Sequence, residues 1–124
     1  MKKQLAAIVL SMLALMMFAP AAGAVVMRIV VVETPDAVAY ASEITKAQVM
    51  LKRLKSNAIL RVWRARFAGA DTGKIIVSVE YPDMATLAKD EARSMADPEY
   101  KAWLDNLGKT RKILSDSTYD ELGR

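Results

Sequence analysis

Two hydrophobic periods alternate along this chain. Val25–Glu33 is a run rich in β-branched residues with one base, Arg28, before its closing Glu33, and it predicts a strand. Thr34-Pro35-Asp36 then reads as N-cap, first helical residue and acid of the first turn. Behind it Ala37, Tyr40, Ala41, Ile44, Ala47, Gln48, Leu51 and Leu54 recur at steps of three and four, the stripe of an amphipathic helix. Lys52, Arg53 and Lys55 put cations in its last turns, and Ser56-Asn57 ends it. Ala58–Phe67 and Lys74–Tyr81 predict two further strands, joined by the turn formers of Ala68–Gly73. Pro82-Asp83 opens a helix with Met84, Leu87, Ala88, Glu91 and Met95 along one side. Asp97-Pro98-Glu99 opens a shorter one carrying Tyr100, Trp103, Leu104 and Leu107, with Gly108 at its C′ position. Arg111–Leu122, with Ile113, Leu114 and Tyr119, reads as a last strand.

The order is therefore β-α-β-β-α-β, the short helix following the second long one. This predicts an α+β domain of ferredoxin-like topology: a four-stranded antiparallel sheet with helices on one face only. Pairing the second and third strands across a six-residue loop sets Phe67 opposite Lys74, Ala65 opposite Ile76, Trp63 opposite Ser78 and Arg61 opposite Glu80. Ile75, Val77, Val79, Tyr81, Leu60 and Val62 then share an apolar face that suits the helices. The other face carries Arg61, Trp63, Ala65, Phe67, Ile76, Ser78 and Glu80. It holds too much aromatic and aliphatic surface to stand in water, which marks an interface or a ligand surface.

The N-terminus changes what counts as the working molecule. Lys2-Lys3, the apolar run Leu5–Phe18 and Ala22-Gly23-Ala24 together read as a secretory signal peptide cut before Val25. The apolar run covers about 21 Å as a helix, too short for a bilayer core of about 30 Å, so stable membrane insertion after cleavage is not expected. Residues 1–24 are thus the signal and residues 25–124 a single domain, periplasmic or fully secreted. Two of the 18 basic residues and none of the 14 acidic ones lie in the signal, which leaves the mature chain at +2. That mild charge calls for no nucleic acid. The chain has no Cys and no His. It therefore has no disulfide, thiol nucleophile or histidine base, and no zinc or haem site built on those ligands; no metal or cofactor is expected.

Three stretches carry a resemblance that spans Val25–Leu122. They are Ile75-Ile76-Val77-Ser78-Val79-Glu80-Tyr81-Pro82-Asp83 with Leu87, then Asp97-Pro98-Glu99-Tyr100-Lys101-Ala102-Trp103, and Ser115-Asp116-Ser117-Thr118-Tyr119. The chain resembles the dimeric α+β barrel superfamily, which includes antibiotic-biosynthesis monooxygenases and NIPSNAP-like proteins. The resemblance implies a homodimer in which two sheets close face to face into a barrel. Several enzymatic members place a His in the helix after the third strand. Here Ala85–Met95 carries Lys89, Asp90, Glu91 and Arg93 instead, which speaks against a histidine-dependent mechanism.

Each candidate residue has a bland reading beside its functional one. Arg61 and Glu80 could clamp a polar ligand or form a cross-strand ion pair. Trp63 and Phe67 could stack on an aromatic substrate or pack a dimer interface. With Ser78, these are the residues expected to border a ligand cavity between the sheets. Arg64 and Arg66 could hold an anion or snorkel over the helix layer. Asp90 and Glu91, being adjacent, point apart on a helix and make no carboxylate pair. Asp116 is a candidate acid on the last strand, but a single carboxylate there is weak evidence for general-base work. Two functions follow: an exported dimeric barrel that binds a small molecule or a partner without chemistry, or a cofactor-free monooxygenase-like enzyme acting on a phenolic or quinol-type substrate.

Overall fold

A computed structural model describes residues 24–123. The expected signal segment lies outside them up to its last residue, Ala24. The described chain runs β1 (Val26–Glu33), α1 (Ala37–Arg53), β2 (Ile59–Arg64), β3 (Ile75–Tyr81), α2 (Met84–Ala96), α3 (Pro98–Gly108) and β4 (Lys112–Asp120). The sheet order is β2-β3-β1-β4 and every pairing is antiparallel, the ferredoxin-like arrangement.

Local chemistry explains the element ends. All three helices are capped by an aspartate carboxyl. Asp36 accepts from the Ala39 amide, Asp83 from Thr86 and Asp97 from Tyr100. The first cap is Asp36 and not Thr34, whose hydroxyl donates instead to the Thr110 carbonyl. Helix α1 ends earlier than Ser56. Lys55 takes a left-handed conformation at φ 58°. Its amide donates to the Lys52 carbonyl and that of Ser56 to Leu51, closing a Schellman motif. Gly108 is the last residue of α3, with Lys109 capping it, and is not in the left-handed region.

The hairpin differs from expectation by two residues. Strand β2 stops at Arg64, and Arg61 lies opposite Ser78, Trp63 opposite Ile76. The Ala65 amide donates to Lys74 O, and that of Gly73 to Ala65 O. The loop therefore takes up Arg66–Gly73, shaped by a 3-10 turn over Gly69–Asp71. A one-residue slip would exchange the two faces of the sheet, whereas a two-residue slip preserves them. The assignment of faces thus survives the wrong loop length.

The core lies between sheet and helices. Val30, Val32, Ile75 and Val77 meet Tyr40 and Ile44 of α1 and Leu107 of α3. A second cluster joins Val26, Tyr81, Leu51, Ala58 and Leu87. Of the row read from its sequence, helix α2 buries only Leu87. Met84 and Met95 are about half exposed, and its buried residues are Leu87, Asp90 and Ser94. Two polar residues can face inward there because each is hydrogen-bonded.

The helix-free face is laid out by the register in three rows. Trp63, Ile76, Val31 and Ser115 form one; Arg61, Ser78, Ile29 and Ser117 the next; Ile59, Glu80, Met27 and Tyr119 the third. Trp63, Ile59, Met27 and Tyr119 remain substantially exposed in the single chain.

Candidate functional site

A cavity of about 430 Å³ lies on the other side of the sheet, beneath the helices. Its floor is apolar: Val30, Leu60, Val77 and Val79. Ile44 and Leu51 of α1 and Trp103, Leu104 and Leu107 of α3 supply most of its walls. Tyr81, Tyr100, Arg28, Glu91, Asp116 and Arg111 add polar groups to the lining. The volume and the mixture of broad apolar walls with a few polar groups are those of a small-molecule site.

The polar residues are tightly organised around Arg28. Its Nε and Nη2 donate to the two oxygens of Asp116 at 2.8 and 2.6 Å, a bidentate pair. Its Nη1 donates to Glu91 Oε1 at 2.7 Å. The charge-assisted bonds from Arg28 hold the Asp116 carboxyl below the usual aspartate range, with Arg111 adding a smaller attraction. Burial pushes the Tyr81 hydroxyl up to about 12, reinforced by the charge of Glu91, and burial also raises Tyr100. Both tyrosines are therefore neutral hydrogen-bonding groups at physiological pH. Arg111 donates from Nη1 to the Tyr40 hydroxyl at 2.8 Å, while its Nε is buried without a hydrogen-bond partner. Trp103 stacks at a tilt on Tyr100, centroids 5.5 Å apart, and its indole N–H donates to Glu43.

The residues singled out from sequence occupy the opposite face. Arg61, Trp63, Ser78 and Glu80 do share the helix-free side, and none lines this cavity. The Trp63 indole N–H donates to Ser78 Oγ at 2.8 Å. Arg61 and Glu80 meet diagonally at 3.6 Å instead of directly across the ladder. Phe67 leaves the group, because β2 ends before it and its side chain is fully exposed on the hairpin loop. Arg64 and Arg66 are exposed as well. Asp90 and Glu91 part as expected: Asp90 holds Ser56 and Asn57, and Glu91 holds Arg28. Among the described residues no cluster of three or more acids is placed to hold a metal ion.

Sequence reasoning passed over Arg28 and Arg111. The signal for Arg28 was present. Alternation from Val30 and Val32, which face the helices, puts Arg28 on that same side, where a charge needs partners. Asp116 lies on the same face, opposite Val30.

The pairing has a measurable acid limb. Asp116 has its folded pKa depressed below 3.8, so its stabilising contribution is present above that ordinary value and is lost as pH falls through the depressed one. Arg28→Met removes the partner. Both side chains are more than a third exposed, so solvent screening limits the loss to about 1 kcal/mol near pH 7. Urea unfolding of wild type and variant from pH 7 down to pH 2 should show the gap closing at the acid end. A gap independent of pH would remove Asp116 from the account.

The sequence matches no protein-family model and no curated protein. Solved structures do match. The chain is similar in fold to SnoaB, a cofactor-independent oxygenase from Streptomyces nogalater, with a TM-score of 0.62 at 9% identity, covering 82% of this chain and 97% of that one. A NIPSNAP family protein from Agrobacterium tumefaciens aligns with a TM-score of 0.60 at 15% identity, over 81% of this chain and 91% of its own. A dimeric ferredoxin-like protein from an uncultured marine organism gives 0.56 at 16%, over 82% and 98%. At these identities the likeness establishes the fold alone, a ferredoxin-like α+β domain.

Proposed function

We propose that this chain is an exported, homodimeric binding protein that receives a small, largely apolar molecule of aromatic size beneath its helices. The cavity carries this reading. It combines about 430 Å³ of space with aliphatic walls, the Tyr100–Trp103 pair and a few fixed polar groups. The signal-like N-terminus supports export. The apolar helix-free face and the dimeric neighbour support pairing of two sheets, with Trp63, Ser78, Arg61 and Glu80 at the interface.

The test is equilibrium dialysis of 1-naphthol against the wild type and Leu104→Trp. Leu104 lines the cavity and is only partly buried, so a larger side chain there occupies the space without displacing the main core. The wild type should bind with a Kd on the order of 10–100 μM, a value typical of an eleven-atom ligand of moderate efficiency. Leu104→Trp should weaken binding about tenfold or more while unfolding at a similar temperature. Unchanged binding by a folded Leu104→Trp would place the ligand elsewhere.

A second reading, cofactor-free oxygenation of a quinol-type substrate, rests on the likeness to SnoaB and on the positive side chains beside the cavity, which could favour a substrate oxyanion. Oxygen uptake with anthrone or a hydroquinone, measured against the heat-denatured protein, separates it from binding alone.

A further inference from the structure

The hairpin between β2 and β3 holds a phenylalanine in water. Phe67 is fully exposed, and so are residues 68–73 after it. The loop is nonetheless braced. The Ala65 amide donates to the Lys74 carbonyl and that of Gly73 to Ala65. The amides of Asp71 and Thr72 donate back to Ala68 and Gly69, and the Ala68 amide donates to Thr72 Oγ1. Gly69 and Gly73 supply the left-handed turns, at φ 58° and 88°. A loop held in this way presents its ring outward with little ordering left to pay on contact. The ring is flanked by cations. Arg64 and Arg66 are exposed, and neither guanidinium makes an ion pair or hydrogen bond among the described residues. The nearby acids already have a cation: Lys74 lies 3.8 Å from Asp71 and 4.0 Å from Glu33. Along the same end of the sheet Lys112 stands opposite Glu33, and Lys109 borders the same shallow hollow. Both are exposed and unpaired among the described residues.

We infer that this hairpin docks the protein on an anionic lipid surface, with Phe67 entering the boundary between headgroups and acyl chains and Arg64 and Arg66 meeting the lipid phosphates. The inference does not depend on the cavity. Solvation alone accounts for the arginines but leaves the ring in water; a plain apolar tip accounts for the ring but not for the unpaired cations beside it. A lipid surface takes both, since the ring leaves water while the guanidinium groups stay at phosphate level. Ala68, Gly69 and Ala70 follow the ring without a charge, so the tip can enter without burying an ion. A second copy is the poorer occupant. Brought to this end by a two-fold axis, it would set Arg64, Arg66, Lys109 and Lys112 against the same cations of its partner.

The experiment is co-sedimentation with two sets of vesicles, one of phosphatidylcholine alone and one containing about one-third phosphatidylglycerol, at about 0.1 M salt. The wild type should partition onto the anionic vesicles roughly tenfold or more ahead of the neutral ones, and about 0.5 M salt should remove most of that difference. Phe67→Ser should weaken binding to the anionic vesicles about tenfold, and Arg64→Ser and Arg66→Ser about fivefold each. All three positions are exposed, so the variants should unfold at the wild-type temperature. In Phe67→Trp, tryptophan emission should move to shorter wavelength on adding anionic vesicles, beyond any change in the wild type. No binding of the wild type to the anionic vesicles, or equal binding to both sets, overturns the inference. So does binding that Phe67→Ser leaves unchanged, which puts the lipid contact elsewhere on the molecule. A lower dimer mass for Phe67→Ser in sedimentation without vesicles overturns it as well, by giving the ring to a second copy. The wild-type comparison alone can overturn the inference, whatever the behaviour of the variants.

Discussion

Asp90→Ala is expected to lower the unfolding free energy by about 2–4 kcal/mol, a large share of what a 100-residue domain has. Asp90 is only 2% exposed, although it belongs to one of the least buried residue types. One carboxyl oxygen accepts from the Asn57 amide at 2.8 Å and from the Ser56 hydroxyl at 3.1 Å. Arg93, one turn on, donates to the carbonyls of Leu54 and Lys55 and lies 3.7 Å from the other Asp90 oxygen. Together the two residues fasten α2 to the connection between α1 and β2. That connection contains Lys55 at φ 58°, a conformation that costs a non-glycine residue of the order of 1 kcal/mol. Truncation to alanine leaves the Asn57 amide and the Ser56 hydroxyl without their acceptor and removes what holds the left-handed turn. Asp90→Asn keeps an acceptor oxygen and should recover at least half of the loss. Urea denaturation at pH 7 measures both. A loss under 0.5 kcal/mol for Asp90→Ala would mean that the turn stands without it.

The same residue shows where sequence reading worked and where it stopped. Strands and helices were legible because their periods differ and because Asp83 and Asp97 mark their caps. The face of each strand was legible too, since alternation fixes it and the hairpin error of two residues did not disturb it. What failed was any decision that depends on a partner distant in sequence. The sequence says of Asp90 only that it points away from Glu91, because its partners Ser56 and Asn57 are more than thirty positions away. Arg28 looked like an interruption of an apolar strand, because Glu91 is 63 positions away and Asp116 is 88. The aromatics Trp63 and Phe67 point to the bare face as the site. The cavity arose on the helix side, where α3 brings Tyr100, Trp103, Leu104 and Leu107 over the sheet. A helix of eleven residues read as one more amphipathic segment gives no sign that it roofs an opening rather than closing it.

Trp63→Asp should convert a dimer into a monomer at micromolar concentration without unfolding the chain. In the single protomer Trp63 is 51% exposed, and Ile59, Met27 and Tyr119 lie on the same face at 46%, 37% and 56%. Half a tryptophan is about 100 Å² of surface, worth roughly 2.5 kcal/mol when covered. A two-fold axis counts every such contact twice, so removing both indoles costs about 5 kcal/mol, more than a thousandfold in Kd. The introduced carboxyl adds the expense of burying a charge. Within the protomer the loss is small, because the indole gives up one hydrogen bond to Ser78 and little core contact. Sedimentation of the wild type should therefore give the dimer mass and the variant the monomer mass, with matching circular dichroism. Arg61 and Glu80, 3.6 Å apart on this face, supply an independent check. Covered by a second sheet, one left without the other is an uncompensated charge, so either Arg61→Met or Glu80→Gln alone should weaken the dimer more than both together. A wild-type monomer, or a Trp63→Asp protein that still sediments as a dimer, would move the interface off this face. The cavity under the helices would then have to serve a protomer whose bare sheet meets some other surface.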